Sequence, residues 1–380
     1  MSPPSAAWKK VTLGEICEFR YGKSLPEAAR AGGRIPVFGS NGQVGLHDEA
    51  LTSGPTIIIG RKGSFGEVNF SQVACWPIDT TYYVDESATN ADLRWLSYRL
   101  AALGLTTLNR AAAVPGLNRE DAYRQPLLLP PVAEQRRIAA ILDQADALRT
   151  KRRTAIAHLD ALAQSIFLDM FGDPATNPKG WPRRSLADVF DIARGGSPRP
   201  IDDFITESPD GINWVMIGDA SEGGGKYISR TRKRIKPEGA RRSRAVKPGD
   251  FLLTNSMSFG RPYIMKTSGC IHDGWLVLSP RDGTFVSEYF YRLLGSSAVY
   301  AEFVRLAPGA TVKNLNIDLV RSVEVPVAPT DRQLEFPRRA DALERVRDSL
   351  LTSLAALNEQ FLALQGQAFA DDAFSTVEAR

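Results

Sequence analysis

Cysteine and histidine are scarce in these 380 residues: three of each, Cys17, Cys75 and Cys270, and His47, His158 and His272. The cysteines are odd in number and have no CxxC spacing, which argues against a disulfide framework or a zinc site and for a reducing compartment. The histidines are scattered, without the helical spacing of metal ligands. No apolar run is long enough to span a bilayer, and the opening MSPPSAAWKK has no apolar core for a signal peptide, so a soluble cytoplasmic protein is expected. Patterns for catalysis are missing as well. Gly22-Lys23-Ser24 looks like the end of a P-loop, but Cys17 stands where the first glycine should be. No Asp or Glu is followed two residues later by Lys, which removes half of a common nuclease signature. There is no Asn-Pro-Pro-aromatic tetrapeptide and no Gly-rich strand-to-helix turn for a nucleotide cofactor. Neither a metal, a bound cofactor nor a catalytic centre is expected in this chain.

What the chain does contain is a repeat. Trp8, Leu13, Glu15, Ile16 and Gly22 fall opposite Trp181, Leu186, Asp188, Val189 and Gly195 at one constant offset. Further on, Ile57-Ile58-Ile59 and the turn from Gly60 to Gly66 match Phe251-Leu252-Leu253 and the turn from Thr254 to Gly260, with Cys75 and Cys270 next at similar spacing. Gln135 and Gln333 open a long terminal helix in each copy. A length of 380 residues with 43% hydrophobic and 24% charged residues suits two globular domains plus connecting elements. The strand-like blocks lack regular βαβ alternation, which favours α+β domains with largely antiparallel or mixed sheets. The expected organisation is a first domain over 1–131, a helix over 132–171, a second domain over 172–329, a helix over 330–370 and a tail over 371–380.

The two helices carry apolar residues at alternating three- and four-residue steps, the seam of a coiled coil. In the first the seam is Ile138, Ile141, Ala145, Leu148, Arg152, Ala155, Leu159, Leu162 and Ile166; in the second it is Phe336, Ala340, Leu343, Arg347, Leu350, Leu354, Leu357, Phe361 and Leu364. One offset superimposes Ile141 to Ile166 on Phe336 to Phe361, including the polar exceptions Arg152 and Arg347. Such spacing also occurs in any amphipathic core helix, but two helices in matching register favour mutual pairing, each about 55 Å long. Antiparallel packing suits a pseudo-two-fold repeat. The arginine layer is then either a register device or a solvent-facing gap.

A net charge of +4 permits binding to a polyanion, and the distribution of charge is more telling. Between Ile228 and Lys247 lie Arg230, Arg232, Lys233, Arg234, Lys236, Arg241, Arg242, Arg244 and Lys247 against only Glu238. Such a run is either a solvated face or a phosphate-binding surface. Arg194, Arg199, Ser256, Ser258 and Arg261 flank it as further candidates. In the first copy Arg61, Lys62 and Ser64 sit in a turn held by Gly60, Gly63 and Gly66, where the backbone can approach a ligand closely. Ser40, Asn41 and Gln43 add hydroxyl and amide groups able to pair with base edges, although Asn41-Gly42 is also a simple turn signal.

These features resemble the specificity subunits of type I restriction-modification systems. The resemblance is carried by Ile35 to Gly42, Ile58 to Gly66, Trp76 to Thr81, Leu129-Pro130-Pro131, Glu134 to Ile138, Ile141-Leu142-Asp143, Lys247 to Asp250 and Ser258 to Gly260, with Thr330 to Gln333 a looser copy of the helix opening. It implies two tandem target-recognition domains, separated and followed by helices that pair as an antiparallel coiled coil. It further implies a non-catalytic subunit that reads a bipartite site in double-stranded DNA, one domain per half-site. Two adenine methyltransferase subunits and the restriction (motor-nuclease) subunits would dock on it, so S-adenosylmethionine, ATP and Mg would be bound by those partners and none by this chain. Half-sites on one face of B-DNA lie roughly 34–36 Å apart, within reach of helices of the estimated length. The residues by themselves also leave open a tandem protein-interaction scaffold without DNA binding.

Overall fold

A computed structural model of the chain describes residues 8–108, 116–222, 225–255, 260–281, 285–306 and 317–369. The tail over 371–380, Ser256 and Ser258 lie outside the described residues. The chain divides into two compact units, Met1–Lys151 with Ala355–Arg380, and Arg152–Leu354. Both long helices, Val132–Phe171 (central) and Thr330–Phe369 (distal), therefore contribute one part to each unit. Among the described residues no helix is long and apolar enough to cross a membrane.

Unit 1 opens with β1 (Lys9–Thr12), which pairs antiparallel with β9 (Pro126–Leu129), the strand that leads into the central helix. Between them, β2 (Arg20–Tyr21), β5 (Thr56–Gly60), β6 (Val68–Ser71) and β8 (Thr81–Asp85) form an antiparallel sheet in the order β2-β8-β5-β6. A smaller sheet has β3 (Ile35–Gly39) between antiparallel β4 (Gly42–His47) and parallel β7 (Trp76–Pro77). Helix Leu93–Ala102, capped by Asp92, packs Trp95, Leu96 and Leu100 into a core with Leu13, Phe19, Ile57 and Ile59. Each fully buried side chain of this kind stabilises by about 1.5–3 kcal/mol.

Unit 2 repeats the plan. Strand β10 (Arg183–Ser185) pairs with β21 (Glu324–Pro326) ahead of the distal helix. Strands β11 (Phe190–Arg194), β17 (Phe251–Thr254), β18 (Pro262–Met265) and β20 (Trp275–Pro280) follow the order β11-β20-β17-β18, with β14 (Tyr227–Ile228) added beside β18. The second sheet centres on β13 (Ile212–Val215), between antiparallel β15 (Lys233–Ile235) and parallel β19 (Gly269–Ile271), and is extended by β12 (Ile205–Thr206) and β16 (Arg244–Val246). The strand order β2-β8-β5-β6 thus recurs as β11-β20-β17-β18, and β4-β3-β7 as β15-β13-β19. The fold is α+β, with two tandem domains, mixed and antiparallel sheets and two long helices.

The repeat reaches individual atoms. The Glu15 carboxylate accepts from the Thr12 backbone N–H and hydroxyl at 2.5 and 2.8 Å, and Asp188 accepts from the Ser185 N–H at 3.1 Å while its own N–H donates to Ser185 Oγ. Both are helix N-terminal caps. A Cβ at Gly22 would lie 2.1 Å from the Ile78 carbonyl oxygen, and one at Gly195 would lie 2.0 Å from that of His272. Gln135 and Gln333, both buried, donate to the carbonyls of Pro130 and Ala328 at 2.8 and 2.7 Å. The same geometry corrects one expected match. Since Ile78 corresponds to His272, Cys270 occupies the place of Trp76 and not of Cys75; Cys270 pairs across to Trp214 as Trp76 pairs to Val37. Two buried cysteines one residue apart in register had looked equivalent because loop lengths differ.

The long helices meet antiparallel within each unit. In unit 1 Arg149 of the central helix donates to Asn358 at 2.8 Å and lies over the Phe361 ring at 4.2 Å. In unit 2 Arg347 donates to Asp160 at 2.9 Å, and Phe167 packs edge-on against Phe336 at 5.7 Å. Along the distal helix Phe336, Ala340, Arg347 and Phe361 are buried and Leu343, Leu350, Leu354, Leu357 and Leu364 half-buried. Along the central helix Ile138 is buried and Ile141, Leu159 and Ile166 half-buried, but Leu148 and Leu162 are both 48% exposed, and Arg152 is exposed. Leu142, Arg149, Ile156 and Ala163 face inward instead, each one residue beyond the expected position. Adjacent apolar pairs such as Ile141-Leu142 and Leu162-Ala163 make both phases of the heptad pattern admissible, and packing against the globular cores as well as the other helix selects the later one.

Arg347 and Arg152 consequently differ. Arg347 belongs to a buried network in unit 2, where Lys226 bonds Glu288 at 2.5 Å and Glu344 at 2.9 Å, and Arg292 approaches Glu344 at 3.2 Å and Asp160 at 3.6 Å. Three cations thus meet three carboxylates. Burial pushes the Glu344 carboxyl up, yet the hydrogen bond from Lys226 and the charges of Lys226, Arg292 and Arg347 outweigh it and hold Glu344 below the usual range. Unit 1 uses less charge at its corresponding junction: Asp143 accepts from Arg94 at 2.5 Å and from the Tyr98 hydroxyl at 2.8 Å.

Candidate nucleic-acid interface

In unit 1 the β3–β4 hairpin tip and the β5–β6 turn converge on one backbone oxygen. The carbonyl of Thr80 accepts from the Ser40 hydroxyl at 2.7 Å and from the backbone N–H groups of Arg61 and Lys62 at 2.9 and 3.1 Å. The structure thus brings Ser40, Arg61 and Lys62 together, though they are distant in sequence. Leu117 anchors the turn from its other side, its N–H donating to the Arg61 carbonyl at 2.9 Å. Gly42 and Gly63 have φ of +104° and +73°, conformations that favour glycine and allow both tips to turn sharply. Asn41, Gln43, Lys62 and Ser64 are exposed. Among the described residues Gln43 makes only a local contact, to the Gly45 carbonyl at 3.4 Å.

Arg61 is held in place. Its Nε and Nη2 donate to the Asp79 carbonyl at 3.2 and 2.5 Å, and its guanidinium lies 5.4 Å from the Tyr21 ring and 6.0 Å from that of Tyr82. Tyr21, 56% exposed, was not among the sequence candidates. The signal was present, because the constant offset of the repeat puts Tyr21 opposite Arg194. In unit 2 that residue performs the same task from the other position: Arg194 Nε donates to the Asp273 carbonyl at 3.1 Å. Asp79 and Asp273 are equivalent, each following the carbonyl that crowds Gly22 or Gly195. The Asp273 carboxylate accepts from Ser197 at 2.7 Å and lies 3.9 Å from Arg199. Ser197, with help from His272 and Arg194, holds Asp273 below the usual carboxylate range.

The basic run of unit 2 separates into two sets. Arg232 pairs with the buried Asp219 at 3.2 Å, Arg234 donates to the carbonyls of Ser208 and Pro209, Lys236 to that of Asp203 at 2.8 Å, and Arg242 lies 5.4 Å from the Phe204 ring. These brace the β12–β15 edge and the turn beyond it. Arg230, Lys233, Arg241, Arg244 and Lys247 are exposed and have no side-chain hydrogen bond or ion pair among the described residues. They lie on or beside β15 and β16, within or next to one sheet. Arg261, also exposed, stands apart from them at the start of β18, 5.4 Å from the Tyr263 ring. β13 and β19 separate β15 from β16, so the five cations, unneutralised among the described residues, are spread across one sheet and suit a polyanion, whereas fixed guanidinium and amide groups suit directional hydrogen bonding.

Comparison with known proteins gives part of this arrangement a family likeness. Residues 6–158 match the family model described as the type I restriction modification DNA specificity domain. The type I restriction enzyme EcoprrI specificity subunit of Escherichia coli is 30% identical over 146 residues, 37% of this chain and 36% of that subunit, so the match spans little more than a third of the relative's length. The fold of the whole chain is similar to that of a type I restriction-modification S subunit from M. genitalium, at TM-score 0.51 and 15% identity over 97% of this chain and 98% of that one. The HsdS subunit from Thermoanaerobacter tengcongensis aligns over 98% of both chains at 20% identity and TM-score 0.39. Residues 6–158, nearly all of them in unit 1, thus carry a likeness to the type I restriction modification DNA specificity domain, and unit 2 repeats the strand order of unit 1.

Proposed function

We propose that this chain is the non-catalytic DNA-recognition subunit of a type I restriction-modification complex and that each unit reads one half of a bipartite site in double-stranded DNA. The observation that carries the reading is the doubled reader: one strand order built twice, each copy with an arginine fixed to the same backbone carbonyl. The cations near β15 and β16, without a side-chain partner among the described residues, would contact phosphates and release counterions, supplying affinity without sequence preference. The residues that differ between units, Arg61 and Tyr21 against Asn255 and Arg194, would make the two half-sites unlike.

The long helices would fix the gap between half-sites and dock two adenine methyltransferase subunits and the restriction subunits. On this reading S-adenosylmethionine, ATP and Mg belong to those partners, and the complex works in the cytoplasm. Nuclease footprinting of the full chain with its methyltransferase partner tests the proposal. Two short protected segments separated by an unprotected gap are expected; a single continuous footprint would overturn it.

A further inference from the structure

We infer that Arg61 in unit 1 and Arg194 in unit 2 are base-reading residues, each presenting a bidentate donor edge to a guanine, whereas the basic run of unit 2 contacts phosphate. The inference rests on the proposed DNA-recognition role and assigns the parts within it. A guanidinium has two donor edges, one made by Nε and a terminal nitrogen and the other by the two terminal nitrogens. The Asp79 carbonyl occupies the first edge of Arg61, through Nε and Nη2. Its end-on edge remains complete, with one hydrogen on each terminal nitrogen. That edge matches the O6 and N7 acceptors of guanine in the major groove.

Orientation decides between base and phosphate. A group that reads a base must be held in a plane before binding, because small misplacements spoil a bidentate pair. Arg61 is held on one side by a carbonyl and stacked beside Tyr21, on a turn that Leu117 and Thr80 pin down. Arg194 is fixed at one end by the equivalent carbonyl, next to a loop tied down by Ser197 and Asp273. Arg230, Lys233, Arg241, Arg244 and Lys247 have no such fixture among the described residues, which costs little for a contact to a delocalised phosphate charge. Two unlike positions in the repeat therefore bring an arginine to one place in each reader.

Charge-conserving variants separate the roles. The full chain with its methyltransferase partner is used to select sites from randomised duplexes, and binding to selected and singly altered sites is then measured across a salt series for wild type, Arg61→Lys, Arg194→Lys and Lys233→Gln/Arg244→Gln. Lysine keeps the charge but cannot make the bidentate pair. R61K is expected to lose roughly 5- to 150-fold discrimination at one G·C pair of one half-site. R194K is expected to do the same in the other half-site, both with the salt slope unchanged. The double glutamine variant should lower affinity for all sequences alike and reduce the salt slope. Should R61K prove misfolded by circular dichroism, Tyr21→Leu, which leaves the arginine and its carbonyl in place, is expected to relax the same base pair to a smaller degree. Uniform loss of affinity with base preferences intact in R61K and R194K would overturn the inference while leaving DNA recognition standing. If the wild-type complex selects no sequence, the recognition role itself fails.

Discussion

At the scale of the residue, glycine has two unlike roles in this chain. At Gly22 and Gly195 the backbone passes so close to a neighbouring carbonyl that a Cβ would stand 2.1 or 2.0 Å from its oxygen. Both N–H groups are used there too, donating to the carbonyls of Thr81 and Trp275 at 3.1 and 2.9 Å. A methyl group can be accommodated only by parting β2 from β8, or β11 from β20, and main chain cannot swing aside as a side chain can. Gly22→Ala and Gly195→Ala are each expected to destabilise by about 3 kcal/mol, at the upper end of overpacking costs. Gly366, in the distal helix with nothing within 4 Å of its Cβ position, is the opposite case. Gly366→Ala should stabilise by up to about 1 kcal/mol through helix propensity. Urea unfolding of the three variants checks this, and equal effects of the three would refute the close-approach account. The Gly22/Gly195 match was legible in the sequence as a shared offset. Its cause was not, because the crowding oxygens belong to residues 56 and 77 positions further along the chain.

At the scale of the element, the long helices show where a heptad pattern stops being informative. Their length, antiparallel sense and the distal apolar stripe follow from spacing that can be read directly. The phase of the central helix does not, since Ile141-Leu142 and Leu162-Ala163 offer an apolar residue to either phase. Arg149 also takes the inward position in place of the exposed Leu148, stacking on Phe361 and bonding Asn358. Matching the two arginines by sequence offset likewise misses that Asp160 exists opposite Arg347 while Arg152 is exposed. The partners of a buried charge come from elsewhere in the fold, here from Lys226 just ahead of β14, helix Ser287–Leu294 and the central helix. Asp160→Asn would leave Arg347 buried without its carboxylate. The expected cost is about 3 kcal/mol, at the low end for a broken buried pair because Asp160 is itself 38% exposed and already screened by water. Arg152→Ala should change stability by no more than about 0.5 kcal/mol. Thermal unfolding of both variants decides the matter, and a matching loss in the two would restore the symmetric arginine layer.

At the scale of the molecule, the serial order of domains and helices is not the order of compact units. Unit 1 is closed by the far end of the chain: Phe361 and Ala368 are buried in the same core as Leu13, Trp95, Ile138 and Leu142, and Phe369 meets the Trp95 ring at 6.5 Å. Unit 2 finds its helical partners between Arg152 and Leu354, with Phe167 and Phe171 against Phe336 and Ala340. A sequence reading divides the chain at prolines and helix starts, and nothing local tells it that both helices are shared midway along their length. A chain ending at Leu354 therefore removes part of the core of unit 1 while leaving unit 2 intact. Loss of Phe361 alone corresponds to about 3–5 kcal/mol of core packing, a large share of the stability of a domain of this size. Native-state hydrogen exchange on the truncated chain is expected to show protection lost in β2, β5 and β8 and kept in β11, β17 and β20. Protection retained in both sets, or lost equally from both, would mean that the distal helix is not an integral part of the first unit.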